Sequence, residues 1–184
     1  MKPILQVEDD INDVYFLNHA MKAAGVANPI QVAADGQEAI DYLRGADKFA
    51  DRKEFPLPCL VLLDLKLPYV MGLDVLKWIR QEHGMSLVVV MLTASGQRGD
   101  METAYRLGAN GYLIKPTESS ILEDMSRAIK DFWLTHNKIP PESHSRRETL
   151  APARALTPFT VVESAHPTNG AVREGWPDNI KADE

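Results

Sequence analysis

The stretch Leu60-Val61-Leu62-Leu63-Asp64-Leu65-Lys66-Leu67-Pro68 constrains the chain more than any other, because an unbroken apolar run stops there in a single carboxylate. A run of Leu and Val this short, entered through Pro56 and Pro58 and left through Pro68, predicts a strand buried on both faces. Such strands form the interior of parallel sheets, which gather ligands and chemistry outside the carboxyl ends of their strands. Asp64 stands at one such end, and its charge needs a cation. Taken alone, Asp64 reads more simply as the start of the turn before Pro68. The other strand ends decide between the two.

Ile4 to Val7 is a short apolar run followed by Glu8-Asp9-Asp10, and Ile11, Val14, Leu17, Met21 and Ala24 then recur at helical spacing. Gly25 stops this helix. Ile30 to Ala33 predicts a second strand, with Asp35 as N-cap of a helix over Gln37 to Arg44. Gly45 to Pro58 reads as an extended loop with room for one helical turn. After the central strand, Gly72 to Glu82 carries a stripe of Leu73, Val75, Leu76 and Ile79. Leu87 to Leu92 is a second unbroken apolar run, ending at Thr93 and the small residues Ala94-Ser95-Gly96. Gln97 to Leu107 predicts a weaker helix, and Gly111 to Ile114 a fifth strand ending in Lys115-Pro116. A last helix begins at Thr117, its expected N-cap, and carries Ile121, Met125, Ala128, Ile129 and Phe132. Five strands alternating with five helices give a three-layer α/β fold, a doubly wound five-stranded parallel sheet with helices on both faces.

Beyond Ile139 the hydrophobic periodicity ends, and six of the twelve prolines fall in residues 140–184. The expected division is therefore a folded domain over 1–139 and a mobile tail over 140–184, in which only Phe159 to Val162 is β-prone. A net charge of -6 without a basic cluster argues against nucleic acid as partner. No stretch is long and apolar enough to be a signal peptide or to span a membrane, and the lone Cys59 allows no internal disulfide. The expected compartment is the cytoplasm. The histidines show no ligand spacing, and Met21, Met91 and Met125 fall on apolar stripes as core residues.

The strand ends deliver Glu8 and Asp9 from the first strand, Asp64 from the third, Thr93 from the fourth and Lys115 from the fifth. Each has an ordinary explanation singly: a negatively charged helix start, a turn, a β-branched strand residue, a solvated lysine. Those explanations do not predict that all of them stand at carboxyl strand ends in one register. Carboxylates gathered in one place repel each other unless a hard cation sits among them, and oxygen ligands from short loops suit Mg²⁺. A carboxylate held beside Mg²⁺ and a lysine can attack a phosphoryl group, because cations neutralise the charge that spreads over its oxygens during transfer. Thr93 adds a hydroxyl for one of those oxygens.

In order and spacing, Val7-Glu8-Asp9-Asp10, Asp64-Leu65-Lys66-Leu67-Pro68 with Gly72, Thr93-Ala94 and Tyr112-Leu113-Ile114-Lys115-Pro116 make the chain resemble the receiver domain of two-component response regulators, from Ile4 to about Asn137. The resemblance implies a flavodoxin-like sheet order of 2-1-3-4-5. It also implies that Asp64 is the phosphoacceptor, served by a sensor histidine kinase, and that the protein is a regulator rather than an enzyme. Asp9, Asp64 and the backbone carbonyl of Lys66 would bind Mg²⁺, with Glu8 acting through water. Lys115 would contact the phosphoryl group, Thr93 would be the switch hydroxyl and Tyr112 the aromatic that moves with it. Met71 departs from the family, which usually has Asp before the Gly. The loop from Tyr42 to Pro58 and Asp131-Phe132-Trp133-Leu134 further resemble the small stand-alone regulators paired with bacterial phytochromes.

Three rivals use related folds. A flavin carrier needs a first loop rich in Ser, Thr and Gly, where this chain has Glu8-Asp9-Asp10. A haloacid-dehalogenase-type phosphatase needs a second Asp two residues after the first, where this chain has Lys66. A pseudo-receiver that acts only as a protein-interaction module would not need Asp9, Asp64, Thr93 and Lys115 together. Finally, if Phe132 continues the buried stripe, Trp133 turns about 100° away toward the rim. It is then the candidate contact of a homodimer on the face of the fourth helix, fifth strand and fifth helix.

Overall fold

A computed structural model describes residues 1–83 and 86–138. Ile139 and the predicted tail, Phe159 to Val162 included, lie outside the described residues. In chain order the elements are β1 (Ile4–Val7), α1 (Ile11–Ala23), β2 (Ile30–Ala33), α2 (Gly36–Arg44), β3 (Leu60–Leu63), α3 (Gly72–Glu82), β4 (Val88–Thr93), α4 (Arg98–Arg106), β5 (Gly111–Ile114) and α5 (Ser119–Ile129). All strand pairs are parallel, in the order β2-β1-β3-β4-β5.

Period-two alternation divides the core between two layers. Leu5, Val7, Val61, Leu63, Val89 and Met91 face the layer of α2, α3 and α4, where Leu43, Leu76, Ile79 and Ala104 meet them. Ile4, Leu60, Leu62, Val88, Val90 and Leu92 face Leu17 and Met21 of α1 and Ile129 of α5. Because β1, β3 and β4 are buried on both sides, β3 and most of β4 read in sequence as continuous apolar runs, while β1 is interrupted by the buried Gln6, whose Oε1 accepts from Asn18 Nδ2 at 3.1 Å. The edge strand β2 is only partly covered.

Local chemistry sets the helix ends. Asp10 caps α1 by accepting from Asn12 N–H at 2.7 Å, and Asp35 caps α2 by accepting from Glu38 N–H at 2.7 Å. Gly45 closes α2 at φ 75°, a left-handed position that favours glycine. The Gly45 to Pro58 connection is folded. It holds one 3₁₀ turn (Asp47–Phe49) and an edge-to-face cluster of Tyr42, Phe49 and Phe55. The Arg52 guanidinium donates to the carbonyls of Tyr42, Leu43 and Phe55, satisfying the exposed end of α2.

Three expectations need correction. Thr117 is not the cap of α5: the first helical bond runs from Leu122 N–H to the Glu118 carbonyl, so the helix starts one residue later. Ile11 is not in the core but 79% exposed, because the first turn of α1 lies at the carboxyl rim of the sheet. The third concerns the end of α5, which continues as a π-helix over Lys130–His136, closed by an Asn137 N–H to Phe132 carbonyl bond of 2.7 Å. In an α-helix, Phe132 and Trp133 would lie about 60° and about 40° to either side of Ile129. Wider π winding turns less per residue and carries Phe132 off the stripe while Trp133 stays near it. Phe132 is accordingly 57% exposed, whereas Trp133 packs with the α1/α5 core, its Cζ2 3.7 Å from where a Cβ on Gly111 would sit. The expected orientation of the two aromatics is thus reversed.

Candidate functional site

Glu8, Asp64 and Lys115 are each the first rung beyond their strand. Glu8 N–H donates to the Ala33 carbonyl at 2.9 Å, Asp64 N–H to Val7 at 3.0 Å, and Lys115 N–H to Thr93 at 2.8 Å. Sheet pairing therefore continues one residue past β1, β3 and β5 and fixes where the polar side chains begin. Glu8 and Asp64 are buried, Asp9 beside them is exposed, and Thr93 is buried at the end of β4.

At the centre stands Lys115. Its Nζ lies 2.5 Å from Glu8 Oε2, 2.8 Å from Asp13 Oδ2 and 3.0 Å from Asp64 Oδ2. Burial alone would favour the neutral amine, but hydrogen bonds to Asp13, Glu8 and Asp64 outweigh it and hold Lys115 above the ordinary lysine value. Glu8 moves the other way: burial pushes its carboxyl up to about 7, against the pull of Lys115. Asp64 Oδ1 is also engaged, accepting from Leu65 N–H at 2.5 Å. The Asp10 side chain takes no part, although its backbone N–H donates to Glu8 Oε1 at 3.4 Å. Its carboxylate caps α1, and the backbone N–H groups of Asn12 and Asp13 hold it below the usual carboxylate range.

Carboxylate oxygens of Glu8, Asp9 and Asp64 all lie within 4.8 Å of one another. Mg²⁺ binds oxygens at about 2.0–2.1 Å and keeps several waters, so two ligands of one ion are at most about 4.2 Å apart. Three hard oxygen donors at this spacing, one of them solvent-facing, fit a hydrated divalent cation after a small closure. A cleft of about 250 Å³ adjoins Asp64 and is lined by Lys66, Thr93, Ser95 and the Gly96-Gln97 turn.

Behind Thr93 runs a chain of hydrogen bonds. Thr93 Oγ1 accepts from Ser95 N–H at 3.3 Å, and the Ser95 carbonyl accepts from the Tyr112 hydroxyl at 2.9 Å. Ser95 Oγ donates to Asp100 Oδ2 of α4 at 2.6 Å. Burial raises the Tyr112 phenol, so it is a donor at neutral pH. The structure thus brings Glu8, Asp9, Asp64, Lys66, Thr93, Tyr112 and Lys115 to one edge of the sheet. Sequence reasoning missed Asp13, Ser95 and Asp100. Asp13 was recoverable from its place in the first turn of a helix starting at the acidic loop. Trp133 belongs to the α5 packing and not to this edge. Among the described residues, no helix is long and apolar enough to cross a membrane.

The chain is 38% identical over 138 residues to the probable methanogenesis regulatory protein FilR2 of Methanothrix harundinacea, covering 74% of this chain and 86% of that one. It is 32% identical over 140 residues to the response regulator Rcp1 of Synechocystis, covering 76% and 93% respectively. The Mn²⁺-bound crystal structure of Rcp1 superposes with a TM-score of 0.68 over 77% of this chain and all of that one. The phosphorylated cyanobacterial phytochrome response regulator RcpA gives a TM-score of 0.70 at 32% identity, over 76% of this chain and 99% of its own. The family model described as the response regulator receiver domain matches residues 4–127, and with this sheet order and these relatives the chain belongs to the receiver domains of two-component response regulators.

Proposed function

We propose that Asp64 accepts a phosphoryl group from the phosphohistidine of a cytoplasmic sensor histidine kinase. The observation that carries this reading is the Lys115 ammonium joining Glu8 to Asp64, which itself lines a cleft together with Thr93 and Lys66. An Asp64 carboxylate oxygen attacks phosphorus, the bond to the donor imidazole breaks, and its electron pair stays on the nitrogen. Lys115 then donates to a phosphoryl oxygen, and the Thr93 hydroxyl reaches another. Asp9, Asp64 and the Lys66 carbonyl would hold Mg²⁺, with Glu8 acting through water, and the ion would supply charge neutralisation on the phosphoryl oxygens.

Rearrangement of Thr93 reaches α4 through Ser95, which also anchors Tyr112. Coupling of this kind biases a surface, and the face of α4, β5 and α5 exposes Tyr105, Ile114 and Ile121. The reading includes a homodimer on that face, with Phe132 in place of Trp133 as its aromatic contact, and a division into a receiver over 1–139 and a tail over 140–184. The relatives named for phytochrome signalling favour a phytochrome-type kinase as the phosphodonor.

Intact-mass measurement after incubation with acetyl phosphate tests the core of this proposal. The parent gains one phosphate only when Mg²⁺ is present, and Asp64→Asn gains none. Equal phosphate on parent and Asp64→Asn would place the acceptor elsewhere.

A further inference from the structure

Lys115 has three N–H donors and spends them on three carboxylates, of which two belong to the acidic group that would hold the metal ion. The third is Asp13. We propose that Asp13 is a positioning residue, which keeps the Lys115 ammonium in place while a phosphoryl group arrives on Asp64 and leaves it. The role rests on Asp64 being the phosphoacceptor.

Neither of the other two partners can be constant through that reaction. Glu8 and Asp64 offer the same small set of oxygens to a divalent cation and to Lys115. Asp64 also loses its carboxylate charge when its oxygen becomes part of an acyl phosphate, so the N–H now given to it passes to a phosphoryl oxygen. Asp13 lies outside the group of Glu8, Asp9 and Asp64 and is chemically unchanged throughout.

Its mounting is a capped helix start. Asp13 sits in the first turn of α1, whose start is tied by the Asp10 side chain to the N–H groups of Asn12 and Asp13 itself. A lysine stem has four rotatable carbons, and an acceptor on a capped helix restricts where its end can sit. The Asp13 side chain is 43% exposed, whereas that of Lys115 is only 14% exposed. Solvent screens the longer-range field of Asp13 on the metal site, so its influence runs mainly through the 2.8 Å contact with Lys115.

A mutant cycle on the full chain tests this. Initial rates of phosphate gain from acetyl phosphate at saturating Mg²⁺ are measured by intact mass for the parent, Asp13→Asn, Lys115→Ala and the double variant. Asp13→Asn is expected to slow the parent about tenfold and to slow Lys115→Ala less than about twofold, since an effect exerted through Lys115 disappears with it. Equal losses in both backgrounds, or no loss in the parent, would overturn the role given to Asp13. A parent that takes up no phosphate overturns instead the phosphoacceptor reading beneath it. Should Lys115→Ala fail to fold, ¹⁵N NMR of the lysine ammonium groups decides without phosphate: a slowly exchanging Lys115 signal present in the parent and lost in Asp13→Asn supports the proposal. Its retention in Asp13→Asn overturns it.

Discussion

Replacing Gly72 with alanine tests how tightly the backbone beneath Asp64 is packed. A Cβ at Gly72 would sit 1.9 Å from the Asp64 carbonyl oxygen and 2.9 Å from both its carbonyl carbon and Leu65 Cα. All three are backbone atoms, so no side chain can swing aside. Reaching even 3.0 Å requires a separation of 1.1 Å between α3 and the end of β3 (3.0 minus 1.9). That movement strains the 3.0 Å bond from Gly72 N–H to the Leu65 carbonyl. Overpacking costs about 1–3 kcal/mol and a lost backbone hydrogen bond about 1 kcal/mol more, which gives a destabilisation of about 2–4 kcal/mol. The cost comes from close approach and not from backbone conformation, since Gly72 is not among the glycines at positive φ. Gly99→Ala is the matched control: a Cβ there meets nothing within 4 Å, and in the first turn of α4 it should be neutral or stabilising by up to about 1 kcal/mol. Urea denaturation of both variants, compared by midpoint at unchanged slope, measures the difference. A Gly72→Ala protein within about 0.5 kcal/mol of the parent would refute the reasoning.

Four further outcomes follow from the packing. Trp133→Ala should cost about 2–3 kcal/mol in urea denaturation and Phe132→Ala less than about 1 kcal/mol, because only the tryptophan is held by the core; the opposite order would restore the regular α-helical phase. Phe132→Glu should weaken self-association in sedimentation equilibrium without lowering the melting temperature, and unchanged association would remove Phe132 from the proposed homodimer. The Tyr42 hydroxyl donates to the Pro56 carbonyl at 2.8 Å, so Tyr42→Phe should lose about 1 kcal/mol, and no loss in urea would show that the loop does not depend on that bond. Burial pushes the Cys59 thiol up, which lowers its thiolate fraction, so iodoacetamide at pH 8 should modify folded protein about tenfold more slowly than protein in urea; equal rates would contradict this.

The fold was legible because its information is local and periodic. Leu60 to Leu63 and Val88 to Leu92 are buried on both faces, so each is an apolar run that no other element of this length explains. Gly72 to Glu82 was bounded correctly because its apolar stripe and its flanking residues agree. Where the determinant is long-range, reading failed or stopped at a loop. Arg52 orders the Gly45 to Pro58 connection through carbonyls of α2, and Arg80 joins α3 to the Leu87 and Gly108 carbonyls and the Asn110 side chain. An arginine in sequence carries no mark of the carbonyls it will meet. The end of α5 failed for a different reason: a change from α to π winding is set by what the helix packs against, and one altered turn was enough to exchange Phe132 with Trp133.

The site was legible for a reason that differs from the fold's. In a parallel sheet, each strand's first residue beyond the ladder is brought to the same edge, so a polar residue closing an apolar run announces both its depth and its neighbours. Glu8, Asp64 and Lys115 satisfy that condition: the N–H of each completes the ladder, and the side chains meet at Lys115 Nζ. Asp13, Ser95 and Asp100 do not satisfy it, because they reach the site from helices or from a loop whose direction the strands do not dictate. Yet Asp13 holds Lys115 at a distance between those of Glu8 and Asp64. Strand ends therefore select which charges face each other, while the first turns of α1 and α4 decide how those charges and the Thr93 loop are held. Substitution of Asp64 should remove the chemistry, whereas substitutions at Asp13, Ser95 or Asp100 should alter its rate or its coupling to the surface.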